Sequence, residues 1–531
     1  MRSLWNFKKE LEKEPIVIYI YIMAIPKPHG GELKDLIARD ASNKTALLSK
    51  FETLKHKINL SGRQICDLEL ILNGGFSPLT GFLSEDNYNS VIEKSRLVNG
   101  TLWTIPITLD VSNIEGLEVG EEVGLLQDNE IPIAILKIDS LWKPNKQRES
   151  LIFSKGDLEH PANRYLFEQA GDYYIGGEIT GAISLPKHYD YLEFRKTPSQ
   201  LRAEFESSEG WDKVVAFQTR NPMHRAHKEL TERAAKNIGG KVLIHPVVGL
   251  TKPGDIDHHT RVKVYKEIIN KYPEDTQAKL SLLPIAMRMG GDLEAVWHAI
   301  IRQNYGCSHF IIGRSHACPG SNSKGEEFYG PYDAQQLVES YKDDLNIDIL
   351  PFRMITYLPE EDRYVAIDEI TEEEKSKTLN ISGTQLRNKL KFGQDIPEWF
   401  SYPEVVKILR QRNPARYNQG FLISYDLKDN KLSKTQLTNG LISKFLEQSS
   451  TRFFKVFDSE DVVNGIDSQI VNDFINANSG LIFNELDNAH VQSIEKNHYV
   501  IGKDIEIDEK DNVDSVLEKV LAVLKTENFF V

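Results

Sequence analysis

Gln218, Arg220, His224 and His227 fall within one ten-residue stretch, Gln218-Thr219-Arg220-Asn221-Pro222-Met223-His224-Arg225-Ala226-His227. Residues three apart on a helix leave the same face, so the two imidazoles converge if the stretch opens a helix. A helix N-terminus presents unpaired N–H groups and partial positive charge, which makes it a ready anion site. Two imidazoles and a guanidinium gathered there suit a bound polyphosphate. Taken alone, a His-x-x-His pair also fits a solvated helix face or half of a zinc site. The zinc reading needs a third ligand and a suitably spaced general-base carboxylate, and Glu229 is misplaced for that role.

The flanking sequence decides in favour of phosphate chemistry. An apolar strand, Val214-Val215-Ala216-Phe217, precedes the stretch, and helical spacing of Leu230, Ala234 and Ala235 follows it. The pattern predicts strand, tight polar loop and helix, with Asn221 as N-cap and Pro222 at the first helical position. From about 191 to 417 strands and helices alternate: strands at 214–217, 241–248, 278–285, 309–313 and 347–352, helices such as 261–272 and 292–303. Right-handed crossovers then build a parallel sheet with helices on both faces, and ligands sit beyond the carboxyl ends of its strands.

Three more clusters are expected at such ends. Leu250–Arg261 packs cations, carboxylates, His258 and His259 into a loop and a helix start, with Asp257 or Thr260 as a cap. Gly313-Arg314-Ser315-His316-Ala317-Cys318-Pro319-Gly320 has glycines that allow close backbone approach to a ligand. Ile381–Arg387 opens a helix with hydroxyls and an arginine, and a simple cap explains it. Trp297 and His298, between Arg288 and Arg302, read as packing residues.

Residues 24 to about 190 are β-rich and irregular, with strands at 101–111 and 131–138 separated by glycine-proline turns. A third block, 418–531, carries 11 Lys/Arg against 19 Asp/Glu and reads as a small α/β domain. The 531 residues thus divide into 1–22, 23–190, 191–417 and 418–531. The first segment holds a short apolar run, Ile16–Ile22, too brief to span a bilayer, and Met23 is a candidate natural start. A formal charge of −14 argues against a nucleic-acid surface. Three scattered cysteines, Cys66, Cys307 and Cys318, fit a reducing cytoplasm and no zinc ribbon.

Together these segments resemble the fungal-type ATP sulfurylases (sulfate adenylyltransferases). The similarity runs from about residue 24 to the C-terminus and includes Leu70–Leu83, Gly171–Tyr174, Phe217–His227, Val248–Ile256 and Trp297–Arg302. The resemblance implies an α/β multidomain protein: a β-rich PUA-like N-terminal domain, a Rossmann-like nucleotidyltransferase domain and a C-terminal domain of adenylyl-sulfate-kinase-like fold. It implies in-line attack of sulfate on the α-phosphorus of MgATP, giving adenylyl sulfate and pyrophosphate. Mg2+ would arrive with ATP, with no tightly bound cofactor and no protein metal site. By resemblance Gln218 and Arg220 hold sulfate with the Ala317 backbone, and Thr219, Arg220 and Asn221 form the active-site trio. His224 and His227 would stabilise charge on the phosphates, as cations or donors. ATP would lie against Gln218, Thr219, Arg220, Asn221, Gly313, Arg314, Ser315, His316 and Ile355, and Phe352 would couple ATP binding to the sulfate pocket. The family also implies a cytoplasmic homohexamer with no membrane or nucleic-acid partner.

Two departures stand out. The family usually reads Gly-Arg-Asp-His-Ala-Gly where this chain has Ser315 and Cys318. Ser315 lacks a carboxylate, and Cys318 places a β-carbon where a positive φ is expected, so weakened nucleotide binding is anticipated. Between 421 and 435 no glycine is present, so the C-terminal domain lacks a phosphate-binding P-loop and is expected to serve in oligomer contacts. Adenylyl transfer to another acceptor, such as a phosphorylated cofactor precursor, and a non-catalytic nucleotide-sensing role remain the alternatives.

Overall fold

The computed structural model describes residues 25–531 except 253–254, 353, 428–430, 450–451, 458–470, 472–473, 476, 484–496 and 531. The apolar run at 16–22, Met23, Pro253, Gly254 and part of the 424–435 segment therefore lie outside the described residues.

The central sheet contains five parallel strands in the spatial order Asp348–Pro351, His309–Ile312, Val214–Phe217, Lys241–Ile244, Ala278–Leu280. The chain enters at Val214–Phe217, winds outward to Ala278–Leu280, then returns to the other side of its starting strand. Connections from Val214–Phe217 and His309–Ile312 therefore leave in opposite directions, and this topological switch point opens a crevice at their carboxyl ends. The loops from 218 and from 313 flank that crevice.

Three strands are shorter than their apolar runs suggest, and of 278–285 only Ala278–Leu280 is strand. The run 241–248 is regular only to Ile244, because Pro246 has no N–H to give the ladder. Val247 N–H instead donates to the Thr219 carbonyl at 3.0 Å, so the chain still runs beside the loop it must support. Similarly, of Thr101–Val111 only Leu109–Val111 is strand, and Pro106 interrupts the rest.

The N-terminal domain is a mainly antiparallel sheet centred on Ile131–Trp142 and Tyr173–Ala182. Its loop Gly74–Phe82 grips the back of the helix Gly291–Asn304. Asn304 Nδ2 donates to the carbonyls of Gly75 and Ser77 at 3.0 Å each, and Phe76 packs on Trp297 at 5.1 Å. Arg288 and Asp67, both buried, pair across the two domains at 2.6 Å.

The C-terminal residues form a four-stranded parallel sheet in the order Phe454–Phe457, Gly480–Phe483, Phe421–Tyr425, His498–Ile501. Leu437, Leu441 and Phe445 on helix Lys434–Gln448 share a core with Val516, Val520 and Leu524 on helix Val513–Thr526.

Candidate active site

The loop after Val214–Phe217 is longer than its residue types predict. The helix begins at Arg225 and its N-cap is His224, not Asn221, so Pro222 is not the first helical residue. Asn221 is held elsewhere: its N–H donates to Thr219 Oγ1 at 3.1 Å, and its carbonyl accepts from Thr219 Oγ1 at 3.0 Å and Tyr265 OH at 2.8 Å. Met223 is buried, which pins the far end of the turn. Gly239, with φ of 63°, stops the helix, its N–H donating back to Ala235 and Lys236 carbonyls.

His224 and His227 do converge, with ring centroids 4.0 Å apart. His227 Nδ1 accepts from the His224 backbone N–H at 3.4 Å, and His224 stacks on Phe400 at 4.4 Å. His224 Nδ1 is buried without a hydrogen-bond partner among the described residues. Burial pushes His227 down to about 4, and burial together with the His227 ring holds His224 well below the usual imidazole range. Both rings are thus neutral near pH 7 in the free protein. In that ligand-free state each ring acts as a neutral donor or acceptor.

Arg220 is not free. Its Nη1 donates to both carboxylate oxygens of Asp255, at 2.7 and 2.5 Å. Asp255 belongs to the loop after Lys241–Ile244, so the two neighbouring loops on one side of the crevice are tied together. Two residues on, Asp257 caps the helix His258–Ile269 by accepting from Thr260 N–H at 2.9 Å. Lys252 reaches the third loop, donating to the Pro319 carbonyl at 2.6 Å.

In the loop after His309–Ile312, positive φ falls on Ser315 and Ala317, each at 52°, and not on Cys318. The expected backbone cost of Cys318 is therefore absent. Its side chain is buried and its Sγ accepts Gly320 N–H at 3.3 Å, while burial raises the thiol pKa. Ser315 N–H donates to the Pro331 carbonyl at 2.8 Å. Ala317 carbonyl accepts Gly291 N–H at 3.3 Å, an approach that needs glycine, since φ there is 54° and a Cβ would lie 2.5 Å from the Tyr329 ring. Arg314 is exposed and Gly313 half-buried.

His298, read from sequence as packing, connects the two loops from below. Its Nδ1 lies 3.0 Å from His316 Nε2, and its Nε2 lies 3.4 Å from Gln218 Nε2 and 3.2 Å from Glu294 Oε1. Arg302, one turn further along the same helix, is fully buried and pushed down to about 9 by burial. Glu294, His298 and Arg302 recur four apart on this buried helix, and that spacing was the available signal.

Phe352 continues the edge of the crevice, its N–H donating to Ile312 carbonyl at 3.2 Å. Ile355 lines a small cavity together with His224, Trp399 and Phe400, so it lies near the imidazole pair. Ile381–Arg387 does not extend from a strand of the central sheet. It is the capping box expected of it, Ser382 Oγ accepting Gln385 N–H at 3.2 Å. Among the described residues one His/carboxylate group, Asp190, His258 and His259, comes within metal-like reach. Arg195 already occupies that carboxylate at 2.7 Å and opposes a cation there.

Known families match both halves of this arrangement. A PUA-like domain matches residues 26–183, and the ATP-sulfurylase domain matches 192–412, which contains every loop of the crevice. A sulfate adenylyltransferase from Kluyveromyces lactis is 56% identical over 516 residues, covering 95% of this chain and 100% of that protein. This chain belongs to the ATP sulfurylases. A second family member, from Saccharomyces cerevisiae, is 56% identical over 519 residues, covering 96% of this chain and 100% of its own. Sulfate adenylyltransferase activity, a step of sulfate assimilation, comes with this membership. A solved structure titled hexameric APS kinase from Thiobacillus denitrificans shares the fold, with TM-score 0.74, 23% identity and coverage of 96% of this ATP sulfurylase and 99% of that chain. No helix among the described residues is long and apolar enough to cross a membrane.

Proposed function

We propose that this ATP sulfurylase joins sulfate to ATP by in-line attack of a sulfate oxygen on the α-phosphorus, with pyrophosphate leaving and adenylyl sulfate as product. The observation that carries the reading is the switch-point crevice, where the Gln218–Asn221 loop faces the Gly313–Ala317 loop and the His224–His227 pair opens the adjoining helix. Gln218 and Arg220, with the Ala317 backbone, hold sulfate. Thr219, Arg220 and Asn221, with Gly313, Arg314, Ser315, His316 and Ile355, hold the nucleotide. Sulfate is a poor nucleophile, so alignment and charge neutralisation supply most of the acceleration.

Neutral imidazoles suit this task. His224 and His227 donate N–H groups to phosphate oxygens as charge builds towards pyrophosphate, beside the positive end of the helix. Arg220 exchanges Asp255 for the incoming oxyanion. Mg2+ enters as part of the substrate MgATP, neutralising the phosphates it arrives with. Phe352, at the end of its strand, links nucleotide contact at Ile355 to the sulfate loop.

The C-terminal domain serves self-association, and a hexamer of the kind named for the structural neighbour is the assembly we favour, in the cytoplasm. The missing glycines between 421 and 435 support a non-kinase role for that domain. The deciding experiment is pyrophosphate release from MgATP with and without sulfate. Release that depends on sulfate and is competed by chlorate supports the reading; release that ignores both anions refutes it.

A further inference from the structure

We propose that Glu294 and His298 form a buried positioning relay that sets the donor orientation of Gln218 on one side and of His316 on the other. The inference rests on the assignment of Gln218 to sulfate and His316 to nucleotide given above. Neither Glu294 nor His298 touches the crevice; both are fully buried on the helix Gly291–Asn304.

The proton positions follow from counting donors. Glu294 Oε1 accepts the backbone N–H of Arg288 at 3.1 Å, and Oε2 accepts that of Gly290 at 2.7 Å. A carboxylate with two such donors is held ionised. The 3.2 Å contact from Glu294 Oε1 to His298 Nε2 then requires the hydrogen to sit on His298. In the neutral ring that leaves Nδ1 as an acceptor, and the His316 nitrogen 3.0 Å away must be its donor. His316 Nδ1 is consequently the nitrogen left to meet a ligand hydrogen, such as a hydroxyl or amino group of the nucleoside.

Gln218 completes the relay. Its Nε2 lies 3.4 Å from the protonated His298 Nε2, donor against donor, while its Oε1 is buried with no partner among the described residues. A half-turn of the amide removes the donor–donor clash and leaves the NH2 group as the buried polar group without a partner among the described residues. Oε1 then shares the single His298 Nε2 hydrogen with Glu294 Oε1 in a three-centre bond, and the NH2 group is the donor left to meet an oxyanion, which is what sulfate binding asks of this residue. His298 therefore imposes opposite roles on its two neighbours, donor for Gln218 and acceptor for His316.

Two near-isosteric variants separate the arms. His298→Gln keeps a donor near the Nε2 position but no group at Nδ1, whereas His298→Asn keeps a polar group near Nδ1 only. We expect His298→Gln to hold KM for sulfate within about threefold and raise KM for ATP about tenfold, and His298→Asn to do the reverse. Glu294→Gln, which keeps the shape and frees the tautomer but turns one oxygen that accepts a backbone N–H into a donor, should raise KM for sulfate three- to tenfold and lower the melting temperature. Equal losses in both KM values for the Gln and Asn variants, or losses confined to kcat and thermal stability, would overturn the relay. Gln218→Ala is the reference: if it leaves KM for sulfate unaltered, the assignment of Gln218 fails. If it raises KM while the two His298 variants behave alike, only the relay fails.

Discussion

Asp255 holds Arg220 through both carboxylate oxygens, at 2.7 and 2.5 Å, in the ligand-free protein. The guanidinium assigned to sulfate is thus already satisfied by an internal anion, and sulfate must displace it. Asp255→Asn weakens the competitor while keeping its size. Chlorate or sulfate should then bind about three- to tenfold more tightly, on the order of 1 kcal/mol, by calorimetry at fixed ionic strength. Arg220→Lys should move the other way, because a lysine cannot present the paired planar donors.

His224 offers a buried, unpartnered ring nitrogen beside the helix start. Removing a donor that acts on developing charge costs roughly 10²–10³ in rate. His224→Ala should therefore lose that much in kcat with little change in KM for either substrate. A thermal melt run in parallel accounts for the lost stacking on Phe400.

His227 ties stability to acid. Its folded-state pKa sits at about 4 through burial, below the unfolded value near 6.5. As pH falls from 6.5 to 4 the unfolded chain gains a proton that the folded one refuses, so stability drops through that window, by up to about 1.4 kcal/mol per pH unit from this group. Above 6.5 the contribution is flat. Urea denaturation of His227→Gln at pH 7 and pH 5 should show a smaller decline than the unaltered protein.

Cys318 sits in its loop without strain, since its φ is not positive and its sulfur accepts Gly320 N–H. Cys318→Gly is accordingly expected to leave turnover within about twofold and to lower stability by up to ~1 kcal/mol through added backbone freedom. A large gain in turnover would show that the cysteine hinders the loop.

Asp67 and Arg288 join the N-terminal and catalytic domains through a buried ion pair. Asp67→Asn leaves the guanidinium buried and uncompensated, at a cost of about 3–5 kcal/mol. Guanidinium unfolding should register that loss as an earlier midpoint.

What sequence alone conveyed was local. Val214–Phe217 was legible to the residue, and the cap was narrowed to Asp257 or Thr260, of which Asp257 serves, because periodicity and capping chemistry act over a few positions. Asn221 misled as a helix cap because its carbonyl is claimed by Tyr265, 44 positions away. The Arg220–Asp255 pair and the contact of His298 with both Gln218 and His316 are likewise products of tertiary folding. The ionisable residues four apart on that helix mark it as unusual, but nothing local says which loops they meet. Strand lengths failed where Pro106 and Pro246 interrupt apolar runs that are extended but not paired.

The two loops that face each other across the crevice leave strands ending at Phe217 and Ile312, on opposite sides of the turn-back in strand order. Everything between them must be synthesised and folded before either loop has its counterpart. A nascent chain halted after the first loop owns the histidine pair yet has no pocket. Catalytic competence therefore arrives late in synthesis and all at once, and a truncation anywhere before the second loop yields a protein that is inert rather than impaired.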